Sequence, residues 1–253
     1  MKRLQSGLGT SWVCTLVALA AVAALASTGA GISSARAADE QAGGKTVVLF
    51  DGKSLDGWKL QGDAARSKWM IGRAVVSSDK PRELVVAPAA AGGELVNAKT
   101  GGVDIYSVEK FADCTIDMEF MVPQGSNSGI YVMGEYEIQV LDSYGAKRLN
   151  PGSLGGIYGA AAPRVNAAKK PGQWQRIVVE FRAPRFDGGK KTANAKFLKV
   201  TLNGQVIHEN LEVTGATPGG VVHHEVPEGP IKLQGDHGPV AYRNIRVTLP
   251  AKR

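Results

Sequence analysis

From Thr46 onward, apolar residues recur at every second position in short runs broken by Gly, Asn, Asp and Pro, and no stretch carries a long helical period. That pattern commits the chain to β-structure. In the run 114–122, Cys114, Ile116, Met118, Phe120 and Val122 share one face while Thr115, Asp117, Glu119 and Met121 share the other, as in a strand with one buried face. In the next such run Tyr136, Ile138 and Val140 point inward, and Glu135, Glu137 and Gln139 project together from the opposite face. Gln175, Ile177, Val179 and Phe181 alternate likewise, with Trp174, Arg176 and Glu180 on the other side. Asn203-Gly204 tolerates the positive φ angles of a two-residue hairpin turn and joins the strand at 197–202 to Val206 and Ile207. Further strands are predicted at 46–50, 69–71, 74–77, 231–234 and 242–249, and loops at 79–93, 184–195 and 212–229. About ten to twelve strands without helices imply an all-β fold, two antiparallel sheets packed as a sandwich.

The residues before this domain read differently. Lys2 and Arg3 precede an uncharged run, 12–26, and the small-residue pattern Ala35-Arg36-Ala37 follows, so residues 1–37 read as a secretory signal and 38–45 as a linker to the domain at 46–250. The run is shorter than the roughly 20 apolar residues that span a bilayer, so export to the periplasm or the extracellular space is expected rather than a membrane span. Without Lys2, Arg3 and Arg36 the formal net charge falls from +7 to +4, and no basic cluster argues for nucleic acid. Cys14 leaves with the signal; Cys114 then has no disulfide partner and reads as a core residue.

A strand face carrying Glu and Gln, with Trp nearby, suits a sugar groove: carboxylates and amides take hydroxyl pairs, and a ring covers the apolar side of a pyranose. Two glutamates at i and i+2 also fit the paired carboxylates of glycosidases, although ordinary solvent-facing strand residues would show the same spacing. His237 lies in Gln234-Gly235-Asp236-His237-Gly238, a tight turn that aims a side chain across a groove mouth, and imidazole suits proton transfer near neutral pH. His208 ends an apolar hairpin strand, and His223-His224 lie in a long loop. No zinc-ligand spacing is present, so no metal site is assigned; a set drawn from His223, His224, Glu225 and His237 is the alternative.

Four groups of residues occur in a telling order: Leu49-Phe50-Asp51-Gly52-Lys53-Ser54-Leu55-Asp56-Gly57-Trp58, Asn127-Ser128-Gly129-Ile130-Tyr131, Tyr136-Glu137-Ile138-Gln139-Val140-Leu141-Asp142-Ser143, and Gly229-Pro230-Ile231-Lys232-Leu233-Gln234 with His237-Gly238 and Arg243-Asn244-Ile245. This series resembles the 3-keto-disaccharide hydrolase domain family across essentially the whole of the predicted domain. The resemblance implies a concanavalin-like jelly-roll sandwich and cleavage of glycosides already oxidised to a ketone at carbon 3. Met133 stands where many members carry arginine, Glu135 occupies an often basic position, and Asp236 is inserted beside His237, all departures from the family pattern. Fold transfers across such a resemblance more safely than chemistry.

A ketone at carbon 3 acidifies the carbon 2 proton, so its removal and expulsion of the carbon 1 substituent, followed by hydration, would give net hydrolysis. On this expectation Glu137 and His237 are the catalytic pair, while Asn127, Tyr131, Gln139, Tyr158, Arg164, Trp174 and Gln234 bind substrate, with Trp174 or Tyr131 stacking on the sugar. No cofactor is expected, a divalent ion being the alternative partner for the enolate oxygen. A non-catalytic carbohydrate-binding module is the competing reading, since it needs amides and rings but no perturbed acid or base. The expected partner is a 3-keto-glycoside or disaccharide, and the sequence sets no oligomeric state.

Overall fold

The computed structural model describes residues 44–251. The expected signal and most of the linker lie outside the described residues. In chain order the strands are β1 (Thr46–Phe50), β2 (Trp58–Gln61), β3 (Trp69–Val76), β4 (Leu84–Ala87), β5 (Glu94–Asn97), β6 (Asp104–Phe111), β7 (Cys114–Met121) and β8 (Asn127–Val132). There follow β9 (Tyr136–Leu141), β10 (Gln175–Arg182), β11 (Arg185–Asp187), β12 (Lys190–Ala193), β13 (Ala195–Leu202), β14 (Gln205–Val213), β15 (Gly229–Leu233) and β16 (Val240–Thr248). The one helical turn among the described residues is a 3₁₀ turn at Ala64–Arg66.

A nine-stranded sheet runs β14-β13-β10-β7-β16-β5-β3-β4, with β1 pairing β16, and a five-stranded sheet runs β2-β6-β15-β8-β9. Every pairing is antiparallel. The expected sandwich is therefore the observed architecture. Its core is built from the inward rows of the alternation: Ile116, Met118 and Phe120 of β7, Tyr136, Ile138 and Val140 of β9, Ile177, Val179 and Phe181 of β10, and Ile231 and Leu233 of β15. Cys114 belongs to this core, and burial pushes its thiol up to about 12, which makes it inert.

Both outer faces are furnished. On the nine-stranded sheet, Val96, Met121 and Ala241 form a second apolar cluster that Trp174 covers. On the five-stranded sheet, the segment 214–228 folds across the strands as a strap. Thr217 N donates to Glu135 O at 2.8 Å, Val221 N to Gly134 O at 2.9 Å, and Val222 N to Glu135 Oε1 at 2.7 Å. The expected loop at 212–229 is thus a loop, though β14 extends to Val213. Inside the other two expected loops lie β4 and the β11–β12 hairpin, the latter turning at Gly188 and Gly189, both at positive φ.

Candidate functional site

Glu137 lies on the outer face of the five-stranded sheet, on its last strand β9. Period-two alternation sends Tyr136 and Ile138 into the core and Glu137 outward, but the strap leaves it only 4% exposed. Its own N–H donates to Thr217 Oγ1 at 2.9 Å, which in turn donates to Glu135 O at 3.0 Å. Burial pushes the Glu137 carboxyl up to about 7, against the pull of a hydrogen bond from Tyr131 and the charges of Lys232 and His237; Asp104 adds to the rise. Such a group exchanges protons at neutral pH.

Tyr131 is opposite Glu137 in the β8–β9 ladder. Burial, then the charge of Glu137 and the hydrogen bond to it, hold the phenol far above its ordinary range, so it stays protonated. Its hydroxyl also lies 3.2 Å from Pro218 O. One proton cannot serve two acceptors; when Glu137 is protonated, the carboxyl donates to Tyr131 Oη and the phenol donates to Pro218 O. Gly129, two residues before Tyr131, has no side chain for a reason: a Cβ there would stand 2.5 Å from Glu137 Oε1. Gln139 lies beside it, its amide nitrogen donating to Ser128 O and Glu137 Oε1, both at 3.1 Å, in the orientation that satisfies its neighbours.

The His237 turn is fixed from below. The buried Asn97 amide donates to Gly235 O and Gly238 O, each at 2.9 Å, and to Lys99 O at 3.1 Å. Gly235 and Gly238 permit the approach, because a Cβ at 235 would meet Val103 O at 2.2 Å and one at 238 would meet Ser126 Oγ at 2.4 Å. His237 Nδ1 lies 2.5 Å from Asp236 Oδ1, and the ring is half exposed at the mouth of the face. The inserted Asp236 thus orients the imidazole.

The expected site residues separate into two groups. Glu137, Tyr131, Gln139 and Asn127 come from β8 and β9, the side-chain amides of Asn127 and Gln139 lying 3.2 Å apart. Gln234 follows β15 on the same outward row as Lys232, 9% exposed, its Oε1 buried without a protein partner. His237 lies close enough for its charge to act on Glu137. Tyr158 flanks the group, its N–H donating to Glu137 O at 3.0 Å and its ring 41% exposed.

Three expectations are corrected. Trp174 is on the outer face of the other sheet, its ring covered by Arg243 at 4.0 Å, so it cannot reach a ligand held at Glu137. Arg164 is held by Glu209 at 3.3 Å beside the edge strand β14. Tyr131 is no stacking platform: it is 1% exposed, with the ammonium of Lys232 4.3 Å from its ring centre. Glu135, two residues before Glu137, anchors the strap. His208, at the end of an apolar run, is buried with Nε2 2.7 Å from Gly155 O.

Two further members are Lys232 and Asp104, paired at 2.6 Å with side chains 2% and 15% exposed. Lys232 shares the outward row of β15 with Gln234, which was the available signal. Its burial came from the strap, which no strand pattern announces. Among the described residues no three His, Cys, Asp or Glu side chains gather around a cation position. Glu225 is instead bound by Tyr136 Oη at 2.8 Å and Lys191 Nζ at 2.5 Å. Under the C-terminal half of the strap, a cavity of about 310 Å³ opens between Tyr106, Lys110, Met133, Glu135, Val222 and Pro230.

Comparison with known proteins agrees with this frame. A curated 3-keto-disaccharide hydrolase from Bacteroides thetaiotaomicron is 30% identical over 106 residues, 42% of this chain and 32% of that protein, so the match spans about a third of its length. A crystal structure of a candidate glycosyl hydrolase from Parabacteroides distasonis superposes with a TM-score of 0.61 at 29% identity, covering 80% of this chain and 82% of that one. A second from the same organism gives 0.55 at 15% identity over 83% and 95%, which speaks for the fold alone. The family model described as a 3-keto-alpha-glucoside-1,2-lyase-like domain matches residues 45–248, nearly all of the described sandwich, and the chain belongs to that family.

Proposed function

We propose that this chain is an exported enzyme that cleaves 3-keto-glycosides by elimination followed by hydration. The observation that supports it most is the Glu137 carboxyl, brought near neutrality by burial, hydrogen-bonded by Tyr131 and Gln139 and within reach of the charge of His237. Glu137 takes the proton from carbon 2. The electron pair moves toward the carbon 3 oxygen as an enolate, and its return expels the carbon 1 oxygen, which receives a proton from His237. Water then adds to carbon 1 as its proton passes to His237, and Glu137 returns its proton to carbon 2, giving the free 3-keto sugar beside the alcohol already released and resetting both groups. Tyr131 and Gln139 spend their donors holding Glu137, so Asn127, Gln234 and the imidazole of His237 are left to meet the developing charge and the sugar hydroxyls. A ketone is required, because no other group at carbon 3 makes the carbon 2 proton removable by a base of this strength.

The test is incubation of the purified 38–253 chain with a 3-keto-glucoside and with its unoxidised parent. Release of alcohol from the keto substrate only is expected, and Glu137→Gln should lower kcat by about a hundredfold or more while binding survives. Binding of sugars with no cleavage of either substrate overturns the enzyme reading in favour of a carbohydrate-binding module. Export is tested by N-terminal sequencing of secreted protein, with a start at Ala38 expected.

A further inference from the structure

We propose that Lys232 and Asp104 are a positioning pair that ties the strap, the Glu137 carboxyl and the His237 turn into one unit. This rests on the acid–base role given to Glu137 above. Lys232 lies on β15 between the core residues Ile231 and Leu233, so its side chain starts on the outer face, yet the strap buries it to 2% exposure. A buried ammonium is costly unless every donor is used. Here Nζ donates to Asp104 Oδ2 at 2.6 Å and to Gly219 O on the strap, and lies 4.3 Å from the centre of the Tyr131 ring. The other oxygen of Asp104 accepts Gly235 N at 2.9 Å, at the base of the turn that carries Asp236 and His237. One end of the pair therefore holds the strap next to Pro218, where Tyr131 also bonds, and the other end holds the histidine.

Stability alone does not account for such a pair. Well-packed apolar residues of similar size hold a buried position as firmly as an ion pair, or more so. What the pair adds is directed bonds to a carbonyl and an N–H, and a fixed field at Glu137. The charged and titratable groups facing that carboxyl are Tyr131 from β8, Lys232 from β15, Asp104 from β6 and His237 from the turn, while Tyr242 of β16 feels its charge from behind. Lys232 and Asp104 act on Glu137 in opposite directions, and the pull of Lys232 is the larger.

The experiment compares wild type with Lys232→Met and with Lys232→Met/Asp104→Asn. The double variant strands no buried ion and keeps an acceptor for Gly235 N. Glu137 is titrated by NMR of carboxyl-labelled protein, with Glu137→Gln identifying its signal, and strap opening is read as amide hydrogen exchange over 214–222. For Lys232→Met the titration midpoint should rise by about one pH unit, with the acid limb of kcat/KM moving alongside it and exchange quickening at least tenfold. The double variant should show the same loosening and a smaller rise. A folded double variant with midpoint and exchange both unchanged overturns the proposal. If wild type cleaves no 3-keto-glycoside, the proposed reaction fails, but the midpoint and exchange still decide whether the pair positions this carboxyl.

Discussion

Keeping a carboxyl at Glu137 protonated near neutrality has a consequence that folding measurements can read. Its ordinary value is 4.5 and its folded value about 7, so between these pH values the native state holds a proton that the unfolded chain has lost. Native stability therefore falls as pH rises through that window, and by pH 8 the penalty is on the order of 3 kcal/mol. Glu137→Gln removes the titration. Relative to wild type it should gain stability as pH goes from 4 to 8, while losing turnover, in denaturant titrations at the two pH values. Parallel stability curves would contradict the raised carboxyl. This residue was legible in the sequence because its row alternates cleanly with Tyr136 and Ile138. Its burial was not, since that comes from a strap 80 residues later whose Thr217 hydroxyl meets the Glu137 N–H.

At the level of elements, the site depends on the closeness of β8 and β9. Gly129→Ala should leave the fold intact, because the colliding atom, 2.5 Å from the added Cβ, is the movable tip of Glu137 rather than backbone. Activity should fall at least tenfold as the carboxyl is displaced, with the thermal midpoint nearly unchanged; full activity would show that the carboxyl need not lie over Gly129. β8 is also where sequence reading failed to register a strand: Asn127-Ser128-Gly129 opens it, and Ser128 is buried with its hydroxyl on Gln234 O, so no polar–apolar contrast appears. β6 escaped for a related reason. Its inward Ser107 spends its hydroxyl on Glu109 O and on the N–H of Ile231, which keeps a polar residue in a core row. The long strands with one wet face, β7 and β10, were readable from end to end, whereas the four-residue β4 was too short to stand out from its loop.

For the whole molecule, the sandwich followed from alternation and the site followed from a motif series, but the closing of one sheet face did not. An aromatic platform was expected at Trp174 or Tyr131; the chain instead commits Trp174 to the far face and buries Tyr131 beneath Lys232. What remains at the mouth is mostly polar: the half-exposed His237 with the Asn127, Gln139 and Gln234 amides, flanked by the exposed Tyr158. That arrangement suits proton transfer at carbon 2 better than stacking against a sugar ring. The most direct measurement is the kinetic isotope effect on kcat/KM with a 3-keto-glucoside deuterated at carbon 2. Removal of that proton by Glu137 predicts a slowing of several-fold that deepens when chemistry is slowed further by Glu137→Gln. Cleavage at an undiminished rate, with the carbon 2 deuterium fully retained in the product, would contradict the elimination route.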